Sequence, residues 1–108
     1  MSFSRGAVWF VELPGVGDKP ALIVSWQPIQ KALGAAIVAR ITSAEKRRSL
    51  PTAVRLAAGE GGLDDPGFVL CHDLFTIDRE LFRRHAGTLS VRRMLEVEDG
   101  LRHALDLS

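Results

Sequence analysis

Several shortages narrow the reading of this chain before any motif is considered. It has one cysteine, Cys71, so no internal disulfide can form. The neighbouring Val69 and Leu70 predict that its thiol packs as a small apolar group, and a lone thiol fits a reducing compartment. Residues 1–6 lack the apolar run and small-residue cleavage site of a secretory signal. No apolar stretch approaches the ~20 residues that cross a bilayer, so a cytoplasmic location without a membrane partner is expected. One sign of charge does not dominate: 14 Lys and Arg face 13 Asp and Glu, for a net +1 with histidines neutral. Bulk electrostatics therefore does not announce a nucleic-acid binder. One cysteine and three scattered histidines give no zinc-ligand spacing, so neither metal nor cofactor is expected.

The composition that remains is globular: 46% hydrophobic and 25% charged over 108 residues, which excludes a disordered chain and predicts one domain spanning residues 1–108. Neither repeats nor low-complexity linkers occur. The first half is dense in short β-like runs. Residues 5–13 carry Val8, Trp9, Phe10 and Val11; residues 20–26 centre on Leu22, Ile23 and Val24; residues 35–42 include Ile37, Val38 and Ile41. Pro14, Gly15 and Gly17 break the first run, and residues 28–33, ended by Gly34, predict one helical turn. Residues 52–56 read as a fourth strand, and residues 67–77 as one or two more, kinked near His72. Such spacing predicts a compact barrel or strongly curled antiparallel sheet. The end differs. Ser90 is a helix cap, followed by Val91, Met94, Leu95, Glu98, Leu101 and Leu105 at helical steps, with Gly100 weakening the helix by ~1 kcal/mol relative to Ala.

Charge distribution says more than net charge. Arg40, Lys46, Arg47 and Arg48 crowd one stretch. Such a loop can grip a few phosphates without coating long nucleic acid, although a solvated loop is the plainer reading from charge alone.

Six segments, in order, resemble the MazF/PemK family of toxin–antitoxin endoribonucleases. They are Arg5-Gly6-Ala7-Val8-Trp9-Phe10-Val11-Glu12-Leu13, then Lys19-Pro20-Ala21-Leu22-Ile23-Val24-Ser25, and Ala36-Ile37-Val38-Ala39-Arg40-Ile41-Thr42-Ser43. Leu50-Pro51-Thr52-Ala53-Val54 follows, then Gly61-Gly62-Leu63 with the stretch from Val69 through His72-Asp73 to Asp78, and finally Gly87-Thr88-Leu89-Ser90. No single segment is specific; their order and spacing are. The resemblance implies an α+β, mainly β fold: a compact SH3-like barrel of antiparallel strands with a C-terminal helix. It also implies a homodimer, a MazE-like antitoxin whose acidic tail covers the groove, and sequence-specific, metal-independent cleavage of single-stranded RNA by attack of a ribose 2′-hydroxyl.

Such chemistry needs a proton acceptor, a donor to the leaving oxygen and donors around the phosphorane. The resemblance assigns catalysis to Lys19 and Thr42. Lys19 stands where the family has arginine, keeping charge but losing the planar fork that holds phosphate bidentately. Arg40 replaces a common family proline and is expected to restore a guanidinium to the same groove. Thr42, by its own position alone, is a strand-end residue bonding its own turn. Arg40, Ser43, Lys46, Arg47, Arg48 and Asp73 are the expected RNA-binding residues, the basic loop contacting phosphates. His72 is expected to be structural or RNA-contacting and, as a strand neighbour, not to pair with Asp73. Trp9, Trp26 and Phe75 are more often core than base-stacking platforms. A CcdB-like gyrase inhibitor is the alternative of similar fold, disfavoured by the Leu-Asp-Leu-Ser ending; a relative that only dimerises and binds antitoxin is the other.

Overall fold

In the computed structural model, described over residues 3–43 and 49–108, bulky β-branched runs become strands. The elements are β1 (Ala7–Leu13), β2 (Gly17–Ile23), α1 (Gln27–Leu33), β3 (Ala35–Ser43), β4 (Ala53–Leu56), β5 (Gly67–Asp78), β6 (Phe82–Thr88) and α2 (Val91–Leu105). Short 3-10 turns lie at Glu60–Gly62 and Arg79–Leu81. The six strands form one sheet in the order β4-β5-β3-β2-β1-β6, and every pairing is antiparallel.

The expected barrel does not close by hydrogen bonding, because β4 and β6 remain edges. β4 is only four residues long, and it is the Glu60–Gly62 turn, not a further strand, that packs against β6. The sheet curls instead. Ala39 pairs with Leu74 but Arg40 with Leu70, so residues 71–73 bulge out of β5. A bulge bends its strand and increases the local twist, which is the kink expected near His72. Residues 67–70 then pair with β3 on one side and β4 on the other.

Strand alternation sends apolar side chains to two cores. One contains Trp9, Val11, Ile23, Val38 and Ile77 with Phe3 packed on it. The other contains Val8, Leu22, Ile41, Val69 and Cys71, covered by Met94, Val97 and Leu101 of α2. At ~25 cal/mol per Å² of apolar surface removed from water, these two cores are the main stabilising contribution.

Ser90 caps α2, its hydroxyl accepting from the Arg93 amide at 3.2 Å. The helix is rotated from the expected stripe: Val97 and Gly100 are buried, whereas Val91, Leu95 and Leu105 are exposed. Gly100 sets that rotation. A Cβ there would stand 2.7 Å from the Cys71 sulfur, so the helix approaches β5 along its smallest residue. Cys71 is buried as expected, donating weakly to the Val97 carbonyl, and burial pushes its thiol up to about 11. Glu98, the polar position of the expected stripe, instead meets Arg5 at 3.1 Å. Among the described residues no helix is long and apolar enough to cross a membrane.

Candidate functional site

β2 starts in the hairpin with β1, where Val11 pairs with Lys19 and Leu13 with Gly17. On its other side Ala21 pairs with Arg40. The β2–β3 ladder stops at that pair; its register continued by two residues would set Lys19 across from Thr42 on one face. Both are half-buried, and both line one open cleft of about 380 Å³ together with Arg40 and Ser43. A cation from the start of β2 and a hydroxyl from the end of β3 thus converge.

The opposite wall is the loop of residues 63–66 and the first residue of β5. Leu63, Asp64, Asp65, Pro66 and Gly67 line it, while Phe10 and Pro20 add apolar surface. Gly67 has a steric reason to be bare. A Cβ there would meet the Thr42 carbonyl oxygen at 2.5 Å, so any side chain would displace the strand end that carries the Thr42 hydroxyl.

Arg40 is held loosely. Its guanidinium stands 3.8 Å from Asp73, outside hydrogen-bond reach, and its Nε is buried with no hydrogen-bond partner among the described residues. A buried donor left unmade costs about 1–3 kcal/mol. The Nε is shut away from the cleft, so what Arg40 shares with the Lys19 and Thr42 side of it is the rest of a side chain only loosely held by Asp73.

Other expected residues fall elsewhere. Asp73 reaches Arg40 but does not line the cleft. His72 is exposed, and its Nδ1 is 2.7 Å from the Thr52 hydroxyl, so the bulge gives His72 and Asp73 separate partners. Lys46, Arg47 and Arg48 lie outside the described residues. Trp9 is buried against Phe3 and Phe82, while Trp26 is exposed away from the cleft. A second recess of about 170 Å³, between Phe3 and α1, holds none of the expected site residues. Among the described residues no group of three or more His, Cys, Asp or Glu side chains is placed to hold a metal ion.

A family model described as PemK-like, MazF-like toxin of type II toxin–antitoxin system matches residues 4–105. The chain belongs to this family. Its similarity to named PemK/MazF-like proteins extends over nearly the full length. The probable endoribonuclease MazF2 of Mycobacterium tuberculosis is 34% identical over 98 residues, 91% of this chain and 93% of that protein. Endoribonuclease EndoA of Bacillus subtilis is 28% identical over 113 residues, covering 99% and 97%. Among solved structures, an endoribonuclease in complex with its cognate antitoxin, from a mycobacterial species, superposes with a TM-score of 0.87 at 27% identity, covering 99% of this chain and 98% of that one.

Within this PemK/MazF-like fold, the residues that sequence reasoning missed are Phe10, Pro20 and the wall at 63–67. Phe10 carried little signal: it stands in a run of bulky residues, and only in the structure is it half-buried where the adjacent Trp9 and Val11 are buried. The loop carboxylates carried none.

Proposed function

We propose that this chain is a metal-independent endoribonuclease toxin of a type II toxin–antitoxin system, acting in the cytoplasm as a homodimer on single-stranded RNA at short sequence motifs, with residues 1–108 as one toxin domain. The observation that carries the reading is the single cleft lined by Lys19, Arg40, Thr42 and Ser43. A phosphodiester seated there meets the Lys19 ammonium, the Thr42 hydroxyl and the terminal nitrogens of Arg40, which no hydrogen bond to Asp73 ties down. The ribose 2′-oxygen forms a bond to phosphorus as the bond to the 5′-oxygen breaks. The products are a 2′,3′-cyclic phosphate and a 5′-hydroxyl. The 2′-proton leaves to solvent, and the Lys19 ammonium donates to the departing oxygen and regains its proton from water. The Arg40 and Thr42 donors stabilise the phosphorane charge as it develops. Asp73 orients Arg40, Ser43 adds a donor at the rim, and Lys46, Arg47 and Arg48 bind neighbouring phosphates.

A MazE-like antitoxin is the expected partner, as the mycobacterial relative of like fold is found with its own cognate antitoxin. The test is incubation of the purified protein with a long RNA in EDTA, followed by mapping of the ends. Cuts with 5′-hydroxyl termini are expected, falling about 100-fold or more in Thr42→Ala. RNA left intact by the unmodified protein overturns the reading.

A further inference from the structure

The cleft is electrically divided. Lys19 and Arg40 stand on the strand side, and Asp64 and Asp65 on the loop side. Both carboxylates are exposed, and neither has a hydrogen bond or ion pair among the described residues. A groove that only gripped the RNA backbone would gain from positive charge on both walls, since phosphate contacts bind without reading sequence. Carboxylates repel phosphate, so with RNA in the cleft these two are suited to some other part of the nucleotide.

A carboxylate accepts hydrogen bonds and donates none. It therefore selects bases by the donors on their edges. Guanine alone sets two donors side by side on its Watson–Crick edge, the N1–H and the N2 amino group, matching the two oxygens of one carboxylate. Adenine and cytosine offer an amino group beside an acceptor nitrogen that the carboxylate repels, and uracil offers one N–H between two carbonyls. Phe10, Pro20 and Leu63 supply apolar surface within the same cleft for the base plane. The Phe10 ring is itself backed by the Arg84 guanidinium, 4.2 Å from its centroid.

We infer that Asp64 and Asp65 are specificity-determining residues that read a guanine next to the phosphate held by Lys19, Arg40 and Thr42. The inference rests on the ribonuclease reading for the identity of the ligand, and it adds which base the cleft selects. It assigns the acidic wall to base choice and the basic wall to the phosphate.

Two measurements on the full chain test it. The first is binding of short RNA oligonucleotides blocked by a single 2′-deoxy sugar and carrying guanine, inosine, adenine, cytosine or uracil at the variable position. Guanine is expected to bind about tenfold more tightly than the others. Inosine, which keeps N1–H but lacks the N2 amino group, loses most of that advantage. In the Asp64→Asn, Asp65→Asn double variant the guanine preference disappears. Both positions are exposed in a loop, so its melting curve should overlay that of the unmodified protein. The second measurement is sequencing of ends cut from a randomised RNA, where guanine is expected at one fixed place beside the cut.

RNA cut with no guanine preference, or a preference that the double variant keeps, overturns the base readout and leaves the ribonuclease reading intact. Guanine-selective binding without any cleavage overturns the ribonuclease reading and supports the readout. Neither binding nor cleavage overturns both.

Discussion

Arg93 and Arg40 each stand beside a carboxylate, and the chain uses them in opposite ways. Arg93, on α2, donates from Nε to Glu60 at 2.8 Å and from a terminal nitrogen to the other Glu60 oxygen at 3.1 Å, with Glu96 also in reach. The Arg93 hydrogen bond, followed by the Ala57 amide, holds the Glu60 carboxyl below its usual 4.5. That pair fastens the helix to the turn leading into the loop wall of the cleft. Arg40 has only a 3.8 Å approach to Asp73 and a buried Nε with nothing to bond. A saturated guanidinium secures architecture; Arg40 at the cleft has no such anchor. The same division separates the two flanks of the sheet, one sealed by α2 and the other open.

The largest expected effect is on activity at the open flank. Arg40→Ala should lower RNA cleavage by about 100-fold or more without unfolding the chain, because it removes a donor to the phosphorane and no native hydrogen bond of the Nε. Cleavage within a few-fold of the unmodified protein would break the contrast between the two arginines. The next effect concerns the sealed flank. Gly100→Ala improves intrinsic helix propensity by ~1 kcal/mol, yet the Cys71 sulfur 2.7 Å from the new Cβ should make it destabilising by about 1–3 kcal/mol through overpacking. Pairing it with Cys71→Ala should recover most of the loss in urea denaturation, since the two sites share one contact. Additive losses would show that the helix does not meet β5 there.

The smallest effect sharpens the Arg93 side. Glu60→Gln should cost about 1 kcal/mol at neutral pH, as for a partly exposed ion pair. In the unmodified chain the unfolded carboxyl takes up its proton near 4.5, while the folded one resists until lower pH. The stability contributed by the pair is therefore complete above 4.5 and is lost as pH falls through the lowered folded value. Denaturation below 4.5 should show a shallower acid slope in the Gln variant; equal slopes would mean the pair does not feel folding.

Legibility followed burial. The runs at residues 8–11, 37–41 and 67–71 were visible because most positions on both faces of those stretches are buried. β6 was not foreseen. Arg83, Arg84 and His85 are exposed along a sheet edge, so its sequence carries no alternation to read. β2 begins at Gly17, three residues before the expected run, because pairing with Leu13 and Glu12 in the hairpin holds residues of weak strand preference. The α2 stripe was rotated by a contact between Gly100 and Cys71 that lies 29 residues apart in sequence. For the cleft, Lys19, Arg40, Thr42 and Ser43 were singled out by family resemblance; their own positions suggested solvent or a turn. Asp64 and Asp65 had no pattern at all, since a loop carboxylate acquires meaning only from what stands across from it.

The unclosed sheet has a consequence for life at high concentration. Bare strand edges invite other copies to add on and polymerise. This chain discourages that at both ends: β4 is too short to template a long ladder, and β6 carries Arg83 tied to Glu12 and Arg84 laid over Phe10, with His85 exposed beside them. The positive fringe that hid β6 from the sequence is thus also what guards the open edge against a further strand.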